Sequence, residues 1–273
     1  MSTTTPNDTI AAHPDVAASL EKMRAAAPLV HCITNYVAMN TAANVTLAAG
    51  ASPAMVHANE EVAAFVPMVG ALTVNIGTLS PTWLAAMLAA AEAAQAAATP
   101  WVFDPVAHFI TPYRREAAAQ LMAQNPTIVR GNASEIIALA GAEAVGKGAD
   151  SGDAVDSAEA PARALASSTG AVVVVTGETD FVTDGPRAAR ISGGHAYMPK
   201  VTALGCSLTA LTGAYAATEA DPFAAAVAAC AHFGAAGAQA GATAGGPGSF
   251  AVAFLDALAN VGPEDLAPLV SAA

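Results

Sequence analysis

A chain of 273 residues that is 54% hydrophobic and 12% charged carries enough apolar material for a large core, which excludes a disordered chain. Its net charge of -12 excludes the basic footprint needed to bind nucleic acid or an anionic membrane surface. Cys32, Cys206 and Cys230 form no CxxC pair and leave an odd count, so the expected setting is a reducing cytoplasm.

The N-terminal stretch, with Asn7, Asp8 and Asp15, lacks the basic-then-apolar layout of a signal peptide. Short apolar runs bounded by turn residues predict strands at Leu29–Thr34, Ala54–His57, Leu72–Ile76, Trp101–Pro105, Thr127–Arg130 and Val172–Thr176. Most are apolar throughout, as strands buried on both faces are. Helical segments separate them at Tyr36–Ala49, Pro81–Ala98, Pro112–Gln124 and Ser134–Ala140. The alternation predicts an α/β fold with a mostly parallel sheet covered by helices. Gly146–Glu159 reads as a surface loop rather than a linker, so the whole chain, 1–273, reads as one domain. Phe181–Asp184 and Ala189–Ser192, joined at Gly185-Pro186, read as a hairpin at one edge. Helices follow at Cys206–Thr218, Pro222–Ala240 and Pro247–Ala259. The apolar stretches Ala85–Ala98 and Ala224–Ala242 are interrupted by Glu92, Gln95, His232 and Gln239, so no membrane span is expected.

A sheet of this kind binds ligands beyond the carboxyl ends of its strands. Four predicted strand ends carry polar residues there: Thr34-Asn35, Asp104-Pro105, Arg130-Gly131-Asn132 with Glu135 one turn on, and Thr176-Gly177-Glu178. Lys200 to Leu208 leads through small residues into a long helix, whose first N–H groups would face an anion. Cys206 sits at that terminus, where the helix dipole predicts a thiol pKa below its usual value of about 8.5.

Six blocks carry a resemblance. They are Pro28–Asn35, Gly50–Met55, Asn75–Leu79, Arg130–Glu135, Val174–Glu178 and Gly246–Phe250, together with the turn before Cys206. In order and spacing, over roughly Pro28 to Ala257, the chain resembles the hydroxyethylthiazole kinases of the ribokinase-like superfamily. The resemblance implies a three-layer α/β/α fold and ATP-dependent phosphorylation of the hydroxyethyl alcohol of a thiazole, in thiamine salvage or biosynthesis. It implies that Cys206 is the catalytic residue, in the position where ribokinase-like kinases carry an aspartate base. Met55, Ala203 and Asn35 would bind the substrate, and Arg130 and Thr176 the ATP. Ala203, Leu204, Gly205 and Cys206 would form the anion hole. Asp104 and Glu135 would serve the metal, Mg²⁺. The family pattern further implies a homotrimer with active sites between subunits.

Two departures stand out. Ala203 occupies a position usually held by glycine, followed by Leu204, and His108-Phe109 follow Asp104-Pro105 where glycines are usual. An alanine at 203 is costly if that position needs positive φ. Gly141 to Gly148 nearly spells a Walker A loop, but Gly148 stands where Ser or Thr would ligate Mg²⁺. His31, His57, His108, His195 and His232 lack metal-ligand spacing, and no Gly-x-Ser-x-Gly elbow is present. Two other readings remain at this point: a kinase of the same fold for another small alcohol, or a thiazole- or nucleotide-binding protein without activity.

Overall fold

The computed structural model describes residues 14–142, 146–147, 150–151 and 154–273. Helix α1 (Val16–Ala26) precedes β1 (Leu29–Ile33), followed by α2 (Met39–Ala49), β2 (Ser52–Ala54), α3 (Val62–Phe65) and β3 (Ala71–Asn75). Then come α4 (Pro81–Ala97), β4 (Trp101–Asp104), α5 (Pro112–Met122), β5 (Ile128–Asn132) and α6 (Ala133–Leu139). A separate two-stranded pair, β6 (Gly146–Lys147) and β7 (Asp150–Ser151), leads to α7 (Val155–Thr169). The chain continues through β8 (Val172–Thr176), β9 (Asp180–Thr183), β10 (Ala188–Ile191), α8 (Leu204–Ala216), α9 (Pro222–Thr243), α10 (Pro247–Asn260) and β11 (Val270–Ala272).

The main sheet runs β11-β10-β9-β8-β5-β4-β3-β1-β2. It is parallel from β2 to β8 and antiparallel from β8 to β11. Successive side chains of a strand point to opposite faces, and both faces here are covered. In β8, Val172 and Val174 join the core beneath α1, α2, α8, α9 and α10, whereas Val173 and Val175 pack with α6 and α7. In β4, Val102 faces the first core, whereas Trp101 and Phe103 face α4 and α5. This double burial is why the strands read as apolar runs without alternation. The fold is thus the expected three-layer α/β/α arrangement.

Local chemistry starts most helices. Ser80, Thr111 and Asp221 each accept a backbone N–H as N-cap of α4, α5 and α9, with proline in the first turn in each case. Helix α9 is long and apolar enough to cross a membrane by length and composition, but 78% of its apolar window is buried within the protein. It is a core helix built from alanine.

Several boundaries differ from those expected. The second strand is Ser52–Ala54, not Ala54–His57, because it pairs with Leu29–His31 at the sheet edge. Helix α2 starts at Met39, because Asn35 Oδ1 accepts the Val37 and Ala38 N–H groups and holds 35–38 as a turn. Within the segment expected to be a loop, Val155–Glu159 is already helical. The rest of that segment lies partly outside the described residues, as do Asn7, Asp8 and half of the Walker-like stretch. That stretch begins at Gly141, just after a helix rather than a strand.

Candidate active site

Five strands and one helix deliver the polar residues to one rim. Asn35 follows β1, Asn75 ends β3, Asp104 ends β4, Arg130 lies in β5 and Thr176 ends β8. Because these strands are parallel neighbours, their C-terminal ends lie side by side. Helix α8 lies over β1, β3 and β4 with Cys206 in its first turn.

The side chains form one hydrogen-bonded chain. Asn35 Nδ2 donates to Asn75 Oδ1 at 2.8 Å and to Cys206 Sγ at 3.4 Å. Asn75 Nδ2 donates to Asp104 Oδ2 at 2.7 Å. The same oxygen receives Thr209 Oγ1 at 2.7 Å and Arg130 Nη1 at 3.3 Å. Arg130 Nη2 donates to Thr176 Oγ1 at 2.6 Å. Two glycines make room. A Cβ on Gly77 would lie 2.5 Å from Asn35 Nδ2, and one on Gly205 would lie 3.0 Å from Arg130 Nη2.

Glu135 is buried and already occupied. Its Oε1 accepts Ala107 N–H and its Oε2 accepts Asn132 N–H, each at 2.8 Å, in a capping box that opens α6. Arg114 donates to the carbonyls of Ile76 and Val106 at 2.8 Å and to that of Gly77, which ties the loops after β3 and β4 together. Met55 stands apart from the network, half-buried against the core just beyond β2.

The turn into α8 supplies the positive end. Ala203 is the N-cap with φ 68°, ψ 3°, in the left-handed region, and makes no side-chain cap. The first N–H groups of a helix have no intrahelical acceptor, and here they belong to Leu204, Gly205 and Cys206. Leu204 is buried in the core cluster rather than across this turn.

Electrostatics correct one expectation. Burial pushes the Cys206 thiol up to about 11, helped by Asp104 and opposed by Arg130 and the two asparagines. Desolvation outweighs the helix terminus, so the group is a neutral thiol at neutral pH. Burial also raises Asp104, against Arg130, Thr209 and Asn75. Glu135 rises to about 7, through burial and then Asp104.

The histidines fall outside this chemistry. Buried His232 lies between Tyr215 Oη and the Leu258 carbonyl, each at 2.9 Å. His31 Nε2 meets the Val56 carbonyl at 2.7 Å. His57 Nδ1 meets the Met55 carbonyl at 3.2 Å. His108 is buried within a short turn after β4, where burial lowers its pKa to about 4. Among the described residues no group of three or more His, Cys, Asp or Glu is poised around a metal. The donor set nonetheless suits Mg²⁺, which keeps waters and substrate phosphates and uses one or two carboxylates. Asp104 Oδ1 is buried without a hydrogen-bond partner.

Asn75, noted in the sequence only as the start of a family block, joins the site together with Thr209 and Arg114, which carried no expectation. Asn75 was visible as a polar strand end. Thr209 lies three residues after Cys206, on the same helix face.

Comparison with known proteins fixes the lineage. A model of the hydroxyethylthiazole kinase family matches residues 20–264. The chain belongs to the hydroxyethylthiazole kinase family. It is 63% identical over 251 residues to the hydroxyethylthiazole kinase of Roseobacter denitrificans, covering 92% of this chain and 97% of that one. It is 62% identical over 248 residues to that of Rhizobium etli, covering 90% and 96%. The solved hydroxyethylthiazole kinase of Pyrococcus horikoshii superposes with a TM-score of 0.87 at 34% identity, covering 94% of this chain and 98% of that one. Staphylococcus aureus pyridoxal kinase, solved in complex with ADP, shares the fold with a TM-score of 0.59 at 16% identity, covering 77% and 87%. The family is one of kinases, and the sheet and helices are those of the ribokinase-like fold.

Proposed function

We propose that the rim between Cys206 and Thr176 transfers the γ-phosphoryl group of ATP to the hydroxyethyl alcohol of 4-methyl-5-(2-hydroxyethyl)thiazole, in thiamine salvage. The observation that carries this reading is the meeting of three features. The free amides of the Ala203–Cys206 turn lie beside Arg130 through Gly205, and Arg130 pairs with both Asp104 and Thr176.

The proposed roles combine the resemblance with this geometry. Arg130 and Thr176 hold the nucleotide phosphates, and the amides of Leu204, Gly205 and Cys206 take charge developing on the transferred group. Mg²⁺ would neutralise phosphate charge, held by Oδ1 of Asp104. Glu135 would contribute charge to the cation through water, because both its oxygens hold backbone N–H groups. Asn35, Ala203 and Met55 face the acceptor side. The alcohol oxygen attacks the γ-phosphorus as the bond to the β-phosphate oxygen breaks and ADP leaves. The hydroxyl proton passes to a phosphate oxygen or to water. A loose transition state asks mainly for alignment, so a neutral Cys206 is compatible with turnover, and turnover is expected to be slow. The working form is proposed to be a cytoplasmic homotrimer with active sites between subunits.

A coupled assay of ATP consumption with this thiazole alcohol tests the proposal, with pyrimidine and sugar alcohols as competing acceptors. Thiazole-dependent ADP release requiring Mg²⁺ is the expected result. Faster turnover of another acceptor would move the substrate assignment.

A further inference from the structure

Hydroxyl side chains on these helices mostly turn back onto their own backbone. Thr212 Oγ1 donates to the Leu208 carbonyl and Ser207 Oγ to the Ala203 carbonyl, both at 2.8 Å in α8. Thr46 does the same in α2, to the Ala42 carbonyl at 2.8 Å. This i−4 bond is the local default for a hydroxyl in a helix. Thr209 departs from it. Its Oγ1 donates across to Asp104 Oδ2 at 2.7 Å, 105 residues away in sequence, and the residue is buried.

The contact has a consequence for Asp104. The χ2 torsion of an aspartate is broad and two-fold, so a carboxylate plane is poorly fixed by covalent geometry. Three donors converge on Oδ2 from three elements: Asn75 from β3, Arg130 from β5 and Thr209 from α8. Oδ1 is left buried and without a hydrogen-bond partner. Asn75 and Arg130 also bond elsewhere, to Asn35 and Thr176. Thr209 makes no other side-chain contact of this kind and comes from outside the sheet. A helical threonine divides between two χ1 rotamers, and here the hydroxyl is aimed at the carboxylate, where it helps to fix the plane.

We propose that Thr209 is a positioning residue for phosphoryl transfer: it fixes the carboxylate plane of Asp104 and leaves Oδ1 unclaimed by protein donors, available to the divalent cation of the bound nucleotide. The proposal rests on the reading of Asp104 as the metal-side carboxylate. Outer partners that orient a ligand typically change metal affinity or activity by about 10- to 100-fold when removed.

Thr209→Val keeps the volume and removes the donor, and Thr209→Ser restores it. Binding of Mn²⁺ in the presence of ADP is followed by the EPR signal of free Mn²⁺, without turnover. Thr209→Val is expected to bind about 10-fold more weakly, with Thr209→Ser close to the unaltered protein. In turnover, kcat should fall and the requirement for Mg²⁺ rise, while KM for the thiazole alcohol stays unchanged, because Thr209 touches Asp104 and not Asn35. Unaltered melting temperature and near-ultraviolet circular dichroism establish that the variants are folded. Undiminished Mn²⁺–ADP binding by folded Thr209→Val, or a Thr209→Ser as impaired as the valine variant, overturns the role of Thr209. Undiminished binding by Asp104→Asn overturns the metal reading of Asp104 itself, and the proposal with it.

Discussion

Replacing Arg130 with methionine isolates the charge balance of the rim. Asp104 is fully buried, and Arg130 is its one cationic contact among the described residues, at 3.3 Å. Removing one member of a buried pair strands the other charge and costs about 3–5 kcal/mol. Asn75 and Thr209 still donate to Asp104 in the variant, which places the expected loss near the lower end, about 3 kcal/mol. The loss has a signature in pH. Burial already raises the Asp104 pKa above its unfolded value, and removing Arg130 raises it further. A carboxylate raised in the folded state destabilises the fold above its folded pKa, and that cost disappears as protonation proceeds on acidification. The stability gap between Arg130→Met and the unaltered protein should therefore be narrower at an acidic than at an alkaline pH. Urea unfolding at both pH values measures it. Asp104→Asn in the same background should recover much of the loss at the higher pH, since it removes the stranded charge. A gap that is independent of pH, together with a double variant no more stable than Arg130→Met, would refute the reasoning.

Three further outcomes are expected. Ala203→Gly removes a Cβ from a left-handed backbone position at φ 68°, where an L-residue is strained by about 1–2 kcal/mol. Greater freedom of the unfolded chain offsets part of this, so a net gain of about 0.5–1 kcal/mol in urea unfolding is expected, with KM for ATP lowered. Cys206→Asp should retain or raise kcat: the burial and the Asp104 field that raise the thiol would also raise a carboxyl there toward neutrality, where a general base works best. A folded but inactive Cys206→Asp would show that position 206 does not lie where a base could serve the acceptor hydroxyl. His232 is held neutral with its pKa lowered by burial to about 4. The unfolded chain takes up that proton first as pH falls below 6.5, so stability drops on acidification, by about 2 kcal/mol from this ring between pH 7 and pH 5. Urea unfolding of His232→Gln should show a correspondingly smaller acid loss, and an equal loss would assign it to other groups.

The parts of the fold legible in the sequence were those whose burial is uniform. Val172–Thr176 and Trp101–Asp104 are apolar on both faces and therefore read as runs. Elements with mixed faces were harder. Helix α1 carries Glu21, Lys22 and Arg24 among its buried Val16, Leu20 and Met23, and β11 is a three-residue edge strand set by its pairing with β10. Helix α7 has Pro161 inside it, which disguises a helix whose buried Ala158, Ala162, Leu165 and Ala166 form only a narrow stripe. At the site, polar strand ends were visible because parallel topology turns sequence position into location. The Cys206 pKa was not, since a helix terminus is a local feature of sequence, whereas the burial and the Asp104 charge that overrule it arise only when distant segments fold together.

The same distinction resolves how a chain of net charge -12 can accept a polyanion. Long-range attraction is the property that net charge governs, and it bears on encounter rather than on the contact itself. At the rim, charge is local: one guanidinium is held between Asp104 and Thr176, and the amides of the Ala203–Cys206 turn carry no counter-charge of their own. Arg130 is 8% exposed, so its charge is screened far less than that of a surface lysine. Asp104, while neutralising part of Arg130, is itself drawn toward protonation by burial. Bringing a divalent cation to Oδ1 would reverse that tendency and favour the carboxylate, so cation and carboxylate charge would form together. In the proposed arrangement an acidic protein keeps its phosphate site insulated from the rest of its surface, with the affinity set by a handful of buried donors.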